Sequence, residues 1–194
     1  MRKTRKAAAV LTAFAMAAVS AVPAMADEIK DLYDYETQAR EVETWNILHS
    51  QSAADLNVLT NLYDGLVEAD EYGKVVPAIA ESWETEDNGI TWTFHLREGV
   101  KWVDQNGNEK GEVTAQDFLT GLEWILNFHK NDAANTSMPM EMIVGAEDYY
   151  NMTSELDADA GLALTAESPE FADTVGIKAI DDYTLQSVSY THLT

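Results

Sequence analysis

Residues Val75 to Val103 read VVPAIAESWETEDNGITWTFHLREGVKWV, and this stretch decides the fold. Ile90, Trp92, Phe94 and Leu96 alternate with Thr91, Thr93, His95 and Arg97, the period of a strand with one face turned to a core. Asp87-Asn88-Gly89 stands just ahead. Such a cluster accepts positive φ, so it closes a hairpin back onto Ser82-Trp83-Glu84-Thr85. Glu98-Gly99 makes the next turn, and Val100, Trp102 and Val103 supply another short strand. Trp83, Trp92, Phe94 and Trp102 each carry roughly 150–250 Å² of surface to bury, so the expectation is a meander held by these four rings.

Working outward, Trp45 and Ile47 alternate about Asn46 and predict a short strand over Thr44–Leu48. Ser52 with Asp55 three residues on has the spacing of a capping box. Leu56, Leu59, Leu62 and Tyr63 follow at helical spacing, and Gly65 is placed to end that helix. Pro77 is suited to open a helical turn through Ile79 and Ala80. Downstream, Thr114 and Asp117 cap the clearest helix, with Phe118, Leu122, Ile125 and Leu126 as its apolar stripe and Lys130 near its carboxyl end. Asn135 to Pro139 reads as a loop, Glu141 to Tyr150 as a helix packing Met142, Ile143 and Tyr149, and Met152 to Glu170 as partly helical. Val175, Ile177 and Ile180 mark a strand, Asp181-Asp182 a turn, and Tyr183-Thr184-Leu185 a last strand.

The ends and the composition restrict function. Arg2, Lys3, Arg5 and Lys6, then apolar Ala7 to Val19, then Ala24-Met25-Ala26, make residues 1–26 a secretory signal peptide cut before Asp27. That apolar run is shorter than the ~20 residues of a membrane span. The 12 Lys and Arg less those four leave eight against 34 Asp and Glu. So acidic a surface repels nucleic acid and anionic lipid, and serves solubility. The absence of cysteine excludes disulfides and thiolate metal sites.

Chemistry is hard to find. His49, His95, His129 and His192 have no metal-ligand spacing, and no nucleophile elbow, Ser-x-x-Lys motif or phosphate-cradling Gly loop occurs. Asp104, Asn106 and Asn108 imitate the start of a calcium loop. The pattern breaks at Glu109, where Gly is needed, and at Ala115, where a bidentate acid is needed. A hairpin at Asn106-Gly107 accounts for the segment better. Asn135-Thr136-Ser137 and Asn151-Met152-Thr153 match the glycosylation sequon, which carries meaning only in a eukaryotic secretory route. Paired carboxylates for glycoside hydrolysis have nothing to fix their separation. A secreted hydrolase fragment is therefore the second reading.

Four blocks in order carry a family resemblance: Leu62-Tyr63-Asp64-Gly65-Leu66; Pro77-Ala78-Ile79-Ala80-Glu81-Ser82-Trp83 with Asp87-Asn88-Gly89; Trp92 through Trp102; and Val113-Thr114-Ala115-Gln116-Asp117-Phe118. Together they resemble the oligopeptide/dipeptide type of extracellular solute-binding protein (family 5) that serves ABC importers. The resemblance implies an α/β fold of the type II periplasmic-binding-protein kind, two-lobed with an extra domain. It implies a monomeric, non-enzymatic protein without cofactor or metal. Such a protein captures peptides or similar small solutes in the periplasm or outside the cell, and hands them to permease subunits of the transporter. Many Gram-positive members carry a lipobox cysteine at the leader's end, which this sequence lacks.

On the same resemblance, residues 27–66 begin lobe I, 67–177 form the extra domain, and 178–194 return toward lobe I. Gln51, Ser52, Ala53 and Ala54, before the helix leading to the Leu-Tyr-Asp-Gly-Leu block, line the cleft. Asn135, Thr136 and Met138, after the Thr-Ala-x-Asp-Phe helix, face the ligand. A helix cap and a surface loop are the residues' own reading at those places. Ser187 to Thr194 does not continue the family pattern, so an N-terminal fragment with an unrelated tail is expected.

Overall fold

The computed structural model describes residues 41–131 and 135–190. The signal peptide 1–26, the acidic leader through residue 40 and the last four residues, His192 among them, lie outside the described residues. In chain order, α1 spans Ala53–Leu59, β1 Val67–Ala69 and β2 Val75–Pro77. Then come β3 Ala80–Glu86, β4 Thr91–Leu96, β5 Lys101–Val103 and β6 Glu109–Glu112. Helices follow: α2 Ala115–Leu126, α3 Phe128–Asn131, α4 Ser137–Met142, α5 Ala146–Glu155, α6 Ala158–Ala163 and α7 Pro169–Ala172. Strands β7 Ile177–Asp181 and β8 Thr184–Val188 close the series.

The hairpin expected at the centre is present. Strands β3 and β4 pair antiparallel, Trp83 opposite Phe94 and Thr85 opposite Trp92. Asp87, Asn88 and Gly89 turn the chain at φ 53°, 59° and 90°, and the Trp92 indole donates to Gly89 O at 2.8 Å. Strand β8 then adds to the far side of β4, and β7 to β8, giving the antiparallel order β3-β4-β8-β7. Sequence-distant strands are thus neighbours, because the helical excursion between β6 and β7 returns the chain to the same sheet.

One face of that sheet carries Trp83, Trp92, Phe94, Leu185 and Ile177, since paired residues point the same way. Over β7 and β8 this face is covered by helices, and Leu185 and Ile177 are buried with Leu119, Leu126, Tyr149, Phe171 and Val175. Tyr149 meets Phe171 edge to face, with centroids 5.1 Å apart. Fully burying side chains of this size stabilises by about 1.5–3 kcal/mol each, so this helix-covered half is the core. Over β3 and β4 the same face is only half-buried. There Trp83, Trp92 and Phe94 line an open apolar groove of about 390 Å³, joined by Val67, Val75 and Met142.

Several local expectations are corrected. Trp102 is 43% exposed on the separate β5–β6 hairpin, so it is no part of the core. Residues 44–48 form a bend and turn instead of a strand, because Asn46 uses its carbonyl on the amides of His49 and Ser50. Helix α1 stops at Leu59, well before Gly65. Pro77 ends strand β2 and opens no helix, since Val67–Ala69 pairs with Val75–Pro77. Met138 and Pro139 are helical, in α4; Pro139 falls in the first turn, where an N–H has no intrahelical acceptor in any case.

Helix α5 starts only at Ala146. Gly145 before it has φ 74°, and a Cβ there would lie 1.9 Å from Thr174 O. That backbone contact fixes where α5 begins. The Thr114–Asp117 cap forms as expected: the Asp117 carboxylate accepts from the Thr114 N–H at 2.7 Å. Of the predicted stripe, Leu126 is buried and Phe118 and Leu122 pack half-buried against the core; the fully buried positions of α2 also include Ala115, Leu119 and Glu123, which lie outside that prediction. Lys130 lies beyond α2, in α3, where it pairs with Glu123. The Asn106-Gly107 hairpin is present, with Asp104 accepting from the N–H groups of Asn106 and Asn108 at 2.9 and 3.0 Å and pairing with Lys110 at 2.9 Å. The oxygens that a calcium loop would aim at an ion are spent on the turn.

Candidate functional site

The turn before α1 is built from short polar side chains. Ser52 has φ −94° and ψ 125°, the extended backbone of an N-cap, and its hydroxyl accepts from the Asp55 N–H at 3.4 Å. Asp55 is 1% exposed. Its carboxylate accepts from the Ser50 hydroxyl at 3.0 Å and from the Glu43 N–H at 2.9 Å. A buried carboxylate needs such donors to offset its lost hydration. The result is a knotted turn whose outer surface is Gln51 and Ala53, both exposed, with Ala54 half-buried and Ser52 buried.

The second segment reaches this turn directly. Asn135 has φ 56°, and its amide donates to Ser50 O at 2.7 Å and to Leu48 O at 3.1 Å. Thr136 is 7% exposed, whereas Met138 is 69% exposed. Two sequence segments more than 80 residues apart are therefore side by side. Of the seven expected residues, Gln51, Ala53 and Met138 present side chains outward, while Ser52 and Thr136 are buried in the supporting layer. Sequence reasoning did not find Leu48 and Ser50, which contribute through backbone carbonyls and have no side-chain signature. Nor did it find the apolar groove, which Met142 links to this junction because it stands one turn along α4 from Met138.

A second recess of about 440 Å³ is polar and acidic, lined by Glu81, His95, Glu98, Asp181, Asp182 and Tyr183. The Tyr183 N–H bonded to Asp181 is the main cause of that carboxyl lying below its ordinary value. His95 lies on the sheet's other face from Trp92 and Phe94, 3.6 Å from Glu84. Among the described residues, no group of three or more His, Asp and Glu is set to hold a metal ion.

This mixed α/β arrangement matches about a quarter of the chain of solved oligopeptide-binding proteins. The substrate-binding domain of an oligopeptide ABC transporter from Bacillus anthracis superposes with a TM-score of 0.60 and is 28% identical, over 79% of this chain and 25% of that one. The family model for bacterial extracellular solute-binding proteins, family 5 (its middle portion) matches residues 74–190, and the chain belongs to that family. The oligopeptide-binding protein AliB of Streptococcus pneumoniae is 34% identical over 154 residues, 79% of this chain and 21% of that protein. The oligopeptide-binding protein AmiA of the same organism is 36% identical over 178 residues, 91% of this chain and 24% of that protein. The chain thus spans about a fifth to a quarter of the length of these relatives.

Proposed function

We propose that this chain forms part of the substrate-binding component of an ABC importer, which captures peptides or similar small solutes outside the membrane and delivers them to the permease. The observation that carries the reading is membership of family 5, whose relatives bear the name of oligopeptide-binding proteins. The protein is exported, acts as a monomer and uses no catalytic step. Binding energy goes into closing two lobes about the solute. Residues 27–66 begin the first lobe, 67–177 make the extra domain, and 178–194 return toward the first lobe. Gln51, Ser52, Ala53 and Ala54, with Asn135, Thr136 and Met138, form one wall of the cleft. The junction made by Asn135 supports this, because it brings both segments to one place. The hydrolase alternative finds no support among the relatives.

The test is amide NMR of the 194-residue chain titrated with mixed oligopeptides, alongside an assay for peptide cleavage. With one wall only, we expect weak saturable binding, about millimolar. Shifts are expected at Gln51–Ala54 and Asn135–Met138, without turnover. Cleavage of the peptides, or shifts confined to other surfaces, would overturn the reading.

A further inference from the structure

We infer that Asn135 is a positioning residue that holds the two cleft-facing segments in one register; the inference rests on the reading of those segments just given. Its position demands two things at once. The backbone is left-handed, at φ 56°, a region that L-residues other than Asn and Asp seldom enter. The side chain must also deliver two N–H groups, one to Ser50 O and one to Leu48 O. These carbonyls flank His49, at the exit of the turn that Asn46 O holds from the other side. Gly meets the first demand alone. Asp meets the first but sets anionic oxygens against two carbonyl oxygens. Asn meets both.

The contact passes onward in each direction. Ser50, whose carbonyl takes the shorter bond, sends its hydroxyl to Asp55 and accepts the Ser52 N–H at 3.3 Å. It thereby fixes Gln51 and the start of α1. On the other side Asn135 precedes Thr136, the N-cap of α4, which carries exposed Met138. The nearer face of α2 is close as well: a Cβ on Gly121 would stand 4.0 Å from Leu48 Cδ1, so the turn is seated between α2 and Asn135. A displacement of one segment is consequently felt by the other through the Asn135 amide.

Asn135→Gly keeps the backbone and removes the bridge, and Asn135→Asp keeps the shape and reverses the polarity. Both are compared with the parent by amide hydrogen exchange and by titration with mixed oligopeptides. We expect exchange at the β4 and β8 amides to be unchanged in Asn135→Gly. Exchange at Ser50–Asp55 should quicken about fivefold or more, the effect of one lost hydrogen bond. The titration curves of Gln51–Ala54 and Met138, superimposable in the parent, should separate in both variants. Unchanged exchange at Ser50–Asp55, or curves that stay superimposed, would overturn the assignment. A parent whose segments ignore peptide while exchange responds to Asn135→Gly would sink the cleft-wall reading and leave the positioning role standing.

Discussion

Glu123 is 2% exposed, yet it is a charged side chain in the middle of the helical layer. It is tolerated because three donors converge on it: the Tyr149 hydroxyl at 2.8 Å, the Asn127 amide at 2.9 Å and Lys130 Nζ at 2.7 Å. Burial first, and then the hydrogen bond to Glu123, push the Tyr149 phenol above its ordinary value. Removing one partner of a buried pair leaves the other charge unpaired, a loss of about 3–5 kcal/mol. We therefore expect Glu123→Ala to lower Tm by about 10 °C in calorimetry. Glu123→Leu combined with Lys130→Met should lose less, because no charge is then stranded. A double variant as unstable as the single one would refute this account. None of this was visible in the helical periodicity, which placed the stripe on Phe118, Leu122, Ile125 and Leu126 and left Glu123 out of it. A buried acid reads as polar until its partners in α3 and α5 are known.

Between elements, Glu112 ties the β5–β6 hairpin to the main sheet. Its carboxylate accepts from the Gly99 N–H at 2.7 Å, Lys101 Nζ at 2.8 Å and the Tyr183 hydroxyl at 2.6 Å, the last from the β7–β8 turn. Lys101 first, and then Tyr183, hold this carboxyl down from its usual 4.5 to about 2. Donation to Glu112 in turn raises the Tyr183 phenol to about 12. A carboxyl whose folded pKa is depressed stabilises above its unfolded pKa, and that contribution fades as pH falls through the folded value. Thermal melts of Glu112→Gln and the parent should therefore differ above pH 4.5 and converge as pH drops toward 2. Curves that run parallel through that window would show that the tie contributes nothing. The sequence did predict this hairpin, from Asn106-Gly107; it did not predict what the hairpin leans on.

Across the whole chain the composition is strongly acidic. The formal net charge is −22. Of the carboxylates among the described residues, Glu112, Asp104 and Glu123 have a lysine within ion-pair distance. Unpaired like charges at the surface repel through water over about 8 Å at physiological ionic strength. We expect Tm to rise by several degrees between ~10 mM and ~150 mM NaCl, because screening relieves self-repulsion. A Tm that falls or stays flat would mean that the acids are held by partners of their own. The same scale explains the groove at Trp83, Trp92 and Phe94. Helices laid over β7 and β8 do not extend across β3 and β4, so Phe94 is half-buried while Leu185, paired with it on the same sheet face, is buried.

The sequence by itself determined the β3–β4 hairpin, the α2 cap, the β5–β6 turn and the family, because each rests on contacts within a few residues or on ordered local blocks. Alternation located the faces of β4 but said nothing about which half of the sheet the helices cover. Likewise, Ser52 announced itself as a cap, and Asn135 read only as part of a loop. Tertiary structure decided that β8 lies beside β4, that Glu123 is buried against Lys130, and that Asn135 reaches Leu48 and Ser50. The first and last are pairings across tens of residues, fixed by how the chain returns to itself, and the Glu123–Lys130 pair spans a helix break; each is set by which polar groups must find partners once water is gone.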